Sequence, residues 1–120
     1  MGDGFVVNDR SVEMGPWSTE EIGRARQVPF IKVLDGLGAY YKRDADYHPV
    51  DPARKSAKFH VNHQGRDFRF IFTGEKWVNE LLAVGVPGRG GGGAIDLVQH
   101  LTGCGFVQSV KICLDAVRDG

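Results

Sequence analysis

The four histidines are the side chains of this sequence best suited to binding a metal or moving a proton. They are His48, His60, His63 and His100. In a strand, His60 and His63 would point to opposite faces because their separation is odd. The two cysteines, Cys104 and Cys113, lie outside any Cys-x-x-Cys pair. We therefore expect free thiols, no metal and no cofactor, with a metal held through His48, His60 or His63 as an alternative.

The glycine run GVPGRGGGG, residues 85–93, precedes a helical pattern and is the first candidate for a phosphate site. Free amides at a helix N-terminus attract anions. The run lacks the Gly-Lys-Ser/Thr ending of a nucleotide-binding loop, and the chain contains no Gly-x-Ser-x-Gly motif. We interpret residues 85–93 as a flexible loop in which Arg89 touches a phosphate backbone, and we expect no enzymatic activity.

The segment AKFHVNHQGRDFRFIFTG has the alternation of a β-hairpin. If Gln64-Gly65 is a two-residue turn, Val61 pairs with Phe68 and Phe59 with Phe70. One face then carries the aromatic and aliphatic side chains. The other face carries Lys58, His60, Asn62, Asp67, Arg69 and Ile71. A slip of one residue would put the phenylalanines on both sides, so the pattern favours this register.

Charge favours nucleic acid as the partner of this hairpin. The 15 Lys and Arg of the chain balance 15 Asp and Glu, yet residues 54–89 hold seven Lys and Arg against three acids. Single-strand binders combine cations for phosphates with rings for bases. We predict DNA binding on the basic hairpin face and the glycine loop, through Lys58, His60, Arg66, Arg69, Lys76, Trp77 and Arg89. Further candidate rings are Tyr40, Tyr41 and Tyr47.

The helices and strands that position these residues, as the sequence pattern predicts them, indicate an α+β fold. At 120 residues, the chain has the length of one domain, which we place at 17–120 after a flexible tail at 1–16. Ser18 and Glu21 form a capping box for a helix over 19–26, with Trp17 and Ile22 at staple spacing. The remaining predictions are a helix from Phe30, strands near Tyr40 and at 75–78, and a C-terminal hairpin of helices at 94–101 and 106–117. We expect an antiparallel sheet packed by these helices.

The C-terminal string GGGGAIDLVQHLTGCGFVQSVKICLDAV resembles the end of the zinc-ribbon domain that opens DnaG-type primases. Upstream, VPFIKVLDGLGAYYKR and KFHVN with DFRFIF and EKW resemble the helix and sheet of that domain. Family members with zinc carry Cys-x-x-His and Cys-x-x-Cys pairs, and the corresponding stretches here, DYHPVDPARKS and FTGEKWVNELLAVG, contain no cysteine. The chain is therefore most similar to the zinc-less form found in primase-like proteins of plasmids and phages.

The resemblance implies a non-catalytic module that binds single-stranded template and is joined to, or works with, a toprim catalytic domain. A protein-interaction module that docks a replication or conjugation partner is the alternative, favoured by zero net charge and the apolar residues Leu81, Leu82 and Val84. The start MGDGFVVNDR lacks a basic n-region and an apolar h-region, and no apolar stretch is long enough for a membrane span. We expect a cytoplasmic protein with no membrane partner.

Overall fold

The computed structural model describes residues 15–118. The described chain has the predicted α+β architecture, with four helices and one five-stranded antiparallel sheet in the order β1-β2-β3-β4-β5. The predicted tail falls outside this range apart from Gly15 and Pro16. The elements are α1 (Thr19–Arg26), α2 (Phe30–Gly36), β1 (Tyr40–Arg43), β2 (Ser56–His63), β3 (Arg66–Thr73), β4 (Lys76–Asn79), β5 (Gly90–Gly92), α3 (Gly93–Thr102) and α4 (Phe106–Arg118).

The capping box predicted for α1 is confirmed. The Ser18 side chain accepts a hydrogen bond from the Glu21 amide at 3.1 Å, and the Ser18 amide donates to the Glu21 carboxylate at 2.8 Å. Two of the orphan amides at the helix start are thereby satisfied. The Trp17 indole, just before the cap, donates to the Val107 carbonyl at 2.9 Å. This bond ties the start of α1 to the first turn of α4.

The hairpin register is confirmed residue by residue. Val61 pairs with Phe68, Phe59 with Phe70 and Ala57 with Phe72. The turn residues Gln64 and Gly65 have φ values of 53° and 82°. Two left-handed residues produce the twist that a two-residue hairpin requires, and glycine adopts this conformation without steric cost.

The phenylalanines of β3 form the centre of the core. The ring centroids of Phe68, Phe70 and Phe72 are spaced 5.5 Å apart along the strand, and Phe30 from α2 lies 4.6 Å from Phe72. Offset aromatic pairs of this kind add about 0.5–1.5 kcal/mol to the burial of apolar area. The helices pack on this one face, through Val33 and Leu34 of α2, Leu97 and Val98 of α3, and Val110 and Cys113 of α4.

The prediction that all of 85–93 is a loop is wrong for its second half. Gly90–Gly92 form β5, which pairs with β4 so that Gly91 lies opposite Trp77. A Cβ atom built at Gly91 would come within 2.9 Å of the Trp77 ring and 2.8 Å of the Asp96 carboxylate. The strand therefore forms here because glycine permits the backbone to approach the indole closely. Sequence propensity could not indicate this, because glycine is depleted in strands.

None of the helices in the described part of the chain is both long and apolar enough to cross a membrane. The C-terminal pair, α3 and α4, is the predicted hairpin, and Gly103 between them takes the left-handed conformation with φ 75°. Glycine at this position ends a helix without steric cost.

Alanine substitutions at two glycines test the packing of β5. We expect Gly91→Ala to lower the free energy of unfolding by about 1–3 kcal/mol, because the new methyl group overlaps the buried indole. The matched control is Gly23→Ala in α1, where a Cβ meets no atom within 4 Å. There we expect a gain of about 0.5–1 kcal/mol from helix propensity. Urea denaturation measures both changes, and a Gly91→Ala protein as stable as wild type would contradict the packing.

Candidate nucleic-acid interface

One face of the sheet is covered by the helices and the other is not. Every strand residue that is buried lies on the covered face, in phase with Phe68, Phe70 and Phe72. We call the other side the open face. Its strand residues are Tyr40, Lys42, Ser56, Lys58, His60, Asn62, Asp67, Arg69, Ile71, Thr73, Lys76, Val78, Gly90 and Gly92.

A row of three basic side chains crosses the open face. Lys42 pairs with His60 and His60 pairs with Arg69, so the three lie side by side on β1, β2 and β3. Neighbouring strands are about 4.8 Å apart, which places Lys42 and Arg69 about 10 Å from each other at the backbone. A cavity of about 360 Å³ opens beside Lys42 and His60 at the sheet edge, and Asp44 and Asp46 also line it.

Carboxylates from outside the hairpin pair with two of the predicted contact residues. Lys58 Nζ lies 2.8 Å from the Glu80 carboxylate, and His60 Nε2 lies 3.0 Å from the Asp44 carboxylate. The hydrogen bond from His60, followed by one from the Asp46 amide, lowers the pKa of Asp44. With His60 neutral, the open face and its two flanking acids hold four Lys and Arg against three carboxylates, Asp44, Asp67 and Glu80. The face is therefore net basic, by less than the hairpin sequence alone indicates.

Lys42, Arg69 and Lys76 are exposed and make no ion pair or side-chain hydrogen bond within residues 15–118. They lie on three different strands. Arg69 and Lys76 were predicted from the sequence. Lys42 was missed, although its alternation with Tyr40 in a predicted strand placed it on the same side as that ring.

Arg66 and Trp77 do not lie on the open face. Arg66 pairs with His63 at the hairpin end, and its guanidinium sits 5.0 Å from the Phe68 ring centroid on the covered side. Trp77 is 3% exposed, and its ring packs edge-on against Phe70 at 5.8 Å. The expectation that these two share a surface with Lys58 is wrong.

The physical reason for both errors is strand alternation. Arg66 is two residues from Phe68 and therefore points to the same side. The Gly74-Glu75 turn makes Phe72 the partner of Trp77, so the indole must join the phenylalanines. The same two-residue-turn argument that gave the hairpin register would have placed Trp77 correctly.

Arg89 has a structural role in the chain connecting β4 to β5. Its Nε donates to the Leu82 carbonyl at 2.8 Å, and its own carbonyl accepts from the Asn79 amide at 2.7 Å. The side chain is half-buried. Arg89 therefore closes the segment 80–89 and does not project from a flexible loop.

The three candidate tyrosines occupy different environments. Tyr40 is 64% exposed and lies on the open face in line with Asn62 and Asp67. Tyr41 points to the covered face, where its hydroxyl donates to the Asp35 carboxylate at 2.7 Å, a bond that raises the pKa of Tyr41. Tyr47 is half-buried in the segment between β1 and β2. Of the predicted rings, Tyr40 is the one that the strands place beside the basic row.

A buried amide joins the sheet to the helices. The Asn79 side-chain oxygen accepts from the amides of Arg69 and Leu81, each at 3.2 Å. Its nitrogen lies 3.0 Å from His100 Nε2, and burial, followed by the charge of Arg66, lowers the pKa of His100. A neutral imidazole accepts through Nε2, which satisfies the amide. Sequence reasoning gave no signal for this network, because its members are far apart in the chain.

The remaining candidate groups are dispersed. His60 lies on the open face and His63 on the covered face, as predicted from their odd separation. Within residues 15–118, no three His, Cys, Asp or Glu side chains come together as a metal ligand set. Cys104 and Cys113 are free thiols, and burial raises the pKa of Cys113 to about 12.

In comparisons with protein-family models, with curated proteins and with solved structures, nothing matches this chain.

The Asp44–His60 pair predicts a pH dependence of stability. Because the pKa of Asp44 is lowered in the folded state, the pair stabilises the fold above the ordinary value of 3.8, and this contribution is lost as the pH falls through the lowered pKa. We expect Asp44→Asn to be less stable than wild type at about pH 6, with the difference shrinking towards about pH 3. Urea denaturation at the two pH values measures it. A difference that stays constant with pH would contradict a stabilising role for the ionised Asp44 carboxylate.

Proposed function

We propose that this chain is a non-catalytic module that binds single-stranded DNA through the open face of its sheet. The observation that supports this most directly is an uncovered sheet face that carries three exposed cations. They are Lys42 on β1, Arg69 on β3 and Lys76 on β4. Phosphates bind wherever such side chains project together, since each neutralised phosphate releases condensed counterions.

The shape of the surface favours a single strand over a duplex. The open face is a twisted sheet surface, and neither a helix nor a projecting two-stranded ribbon of the described chain is present on it to enter a major groove. A flexible single strand can follow such a surface with its phosphates on the cations and its bases against the sheet. The paired residues Lys58 and His60 lie between the free cations and complete the polar surface.

The biological setting that we propose comes from the sequence resemblance to the zinc-less primase domain. In that setting the module holds template for a toprim catalytic domain or a replication partner. The antiparallel sheet followed by a helical hairpin is the architecture that the sequence predicts.

A double charge reversal tests DNA binding. We expect Arg69→Glu combined with Lys76→Glu to weaken binding of a dye-labelled oligonucleotide by about tenfold or more at low salt, because two phosphate contacts become repulsive. The slope of log affinity against log salt should fall by about 1.4, or about 0.7 for each lost contact. Fluorescence anisotropy at several salt concentrations measures both quantities.

The control is Arg24→Glu combined with Lys32→Glu, two exposed cations on α1 and α2. It makes the same change in net charge on the helical side of the molecule. Equal weakening by both double variants would mean that the open face is not the site. An Arg66→Glu variant should behave like the control, because Arg66 lies on the covered side.

A protein-interaction module is the second candidate, and one observation favours it. In the segment between β4 and β5, Leu81 is 49% exposed, Val84 86% and Val86 40%. Exposed apolar residues grouped in this way are typical of docking surfaces. Undetectable or salt-insensitive binding of oligonucleotides in the titration above would favour this candidate over DNA binding.

A further inference from the structure

Three positions of the open face form a line of apolar surface across the sheet. Ile71 on β3 pairs with Val78 on β4, and Val78 pairs with Gly90 on β5. Ile71 and Val78 are half-buried, and Gly90 adds bare backbone. With about 4.8 Å between strands, this aliphatic floor, Ile71–Val78–Gly90, is about 10 Å long.

The glycine keeps the floor open at the sheet edge. A Cβ atom at Gly90 would lie 2.9 Å from the Trp77 carbonyl and 3.3 Å from a methyl group of Val78. Any side chain there would crowd Val78. The next open-face position of β5 is Gly92, so this end of the face has no side chain standing above the sheet.

Cations stand on both sides of the aliphatic floor. Lys76 is two residues from Val78 on β4, and Arg69 is two residues from Ile71 on β3 in the opposite direction, as the antiparallel pairing requires. Residues two apart in a strand are separated by about 6.6 Å. Lys58 pairs with Ile71 at the β2 end of the floor, and its Nζ reaches across β3 to the carboxylate of Glu80, 2.8 Å away. The Glu80 amide donates to the Arg69 carbonyl, so this ion pair ends beside Arg69. The floor is thus an apolar strip with Lys76 on one side, and with the Lys58–Glu80 pair and then Arg69 on the other.

We propose that the aliphatic floor seats a nucleobase of the bound single strand, with the flanking phosphates directed to Lys76 and Arg69. This inference rests on the proposed function. The face of an uncharged ring matches an apolar floor, and a phosphate on either side of it matches the flanking cations. The aromatic platform expected from the sequence is absent at this place because Trp77 faces the core, and aliphatic contact replaces ring stacking.

An abasic oligomer separates base contacts from phosphate contacts. It has the same length and charge as an oligothymidine but lacks bases. We expect the wild-type protein to bind oligothymidine about tenfold more tightly than the abasic oligomer at equal salt, because the floor buries apolar area against the base. Fluorescence anisotropy competition gives the ratio of the two affinities.

Ile71→Thr combined with Val78→Thr removes the floor while keeping β-branched side chains that suit a strand. We expect the ratio to fall by about three- to tenfold, with the affinity for the abasic oligomer unchanged. Val117→Thr, at an exposed valine in the last turn of α4, is the matched control and should leave the ratio as in wild type. If the double variant loses cooperative unfolding, each single variant is measured instead.

The other possible results distinguish the proposed base site from the proposed DNA binding. The aliphatic floor would be overturned as the base site if the Thr variants kept the wild-type preference for oligothymidine over the abasic oligomer. It would also be overturned if Tyr40→Ala, and not the Thr variants, removed that preference. Equal affinity of wild type for both oligomers, with a normal salt slope, would overturn it while leaving the proposed DNA binding intact. Failure of wild type to bind either oligomer at low salt would overturn the proposed function itself, and a protein partner would then be favoured.

Discussion

The two left-handed residues at Gln64-Gly65 fix the register between β2 and β3, and much of the structure depends on that register. With this turn, Val61 and Phe59 stand beside Phe68 and Phe70, and all the rings of the hairpin point to one side. A slip of one residue would expose the aromatic side chains of one strand and bury charged ones, at a cost of several kcal/mol for each unpaired charge. The helices pack on the ring side because it is the apolar side. The polar side is left uncovered for the same reason.

The same constraint explains the chemistry of the open face. Apart from Tyr40, Ile71, Val78 and two glycines, its strand residues are polar, because strand alternation points them away from the core. The charged ones lie on the four successive strands β1 to β4. Lys58 pairs with Glu80 and His60 pairs with Asp44, two acids that follow β4 and β1. Pairing two of the basic groups leaves the others free and spaces the uncompensated charge across the sheet. Surface ion pairs of this kind contribute little to stability, so their main effect is on the electrostatic pattern.

The sequence predicted the parts of this fold that local rules determine. The capping box of α1, the hairpin register and the two C-terminal helices each follow from residues close together in the chain, and the structure confirms them. The prediction of the site was weaker because a surface depends on several strands at once. Glu80 and Asp44 reach Lys58 and His60 from other elements, and no local pattern fixes their positions. Trp77 was placed on the wrong side, although a two-residue turn at Gly74-Glu75 is enough to pair it with Phe72. Strand β5 was missed because its glycines have low strand propensity, and it forms because they allow the backbone to pack closely against the Trp77 indole.

The order of the strands also bears on how the chain folds. Each strand pairs with the next one in sequence, so the sheet is a simple meander. The turns at Gln64-Gly65 and Gly74-Glu75 close two ladders with minimal loss of chain entropy, whereas β1 joins β2 across residues 44–55. The three central strands can therefore assemble early from local contacts, and β1, which carries Lys42 and Tyr40, attaches afterwards. The edge that holds one end of the basic row is thus joined to the sheet through its longest connection between strands, residues 44–55, against 80–89 between β4 and β5.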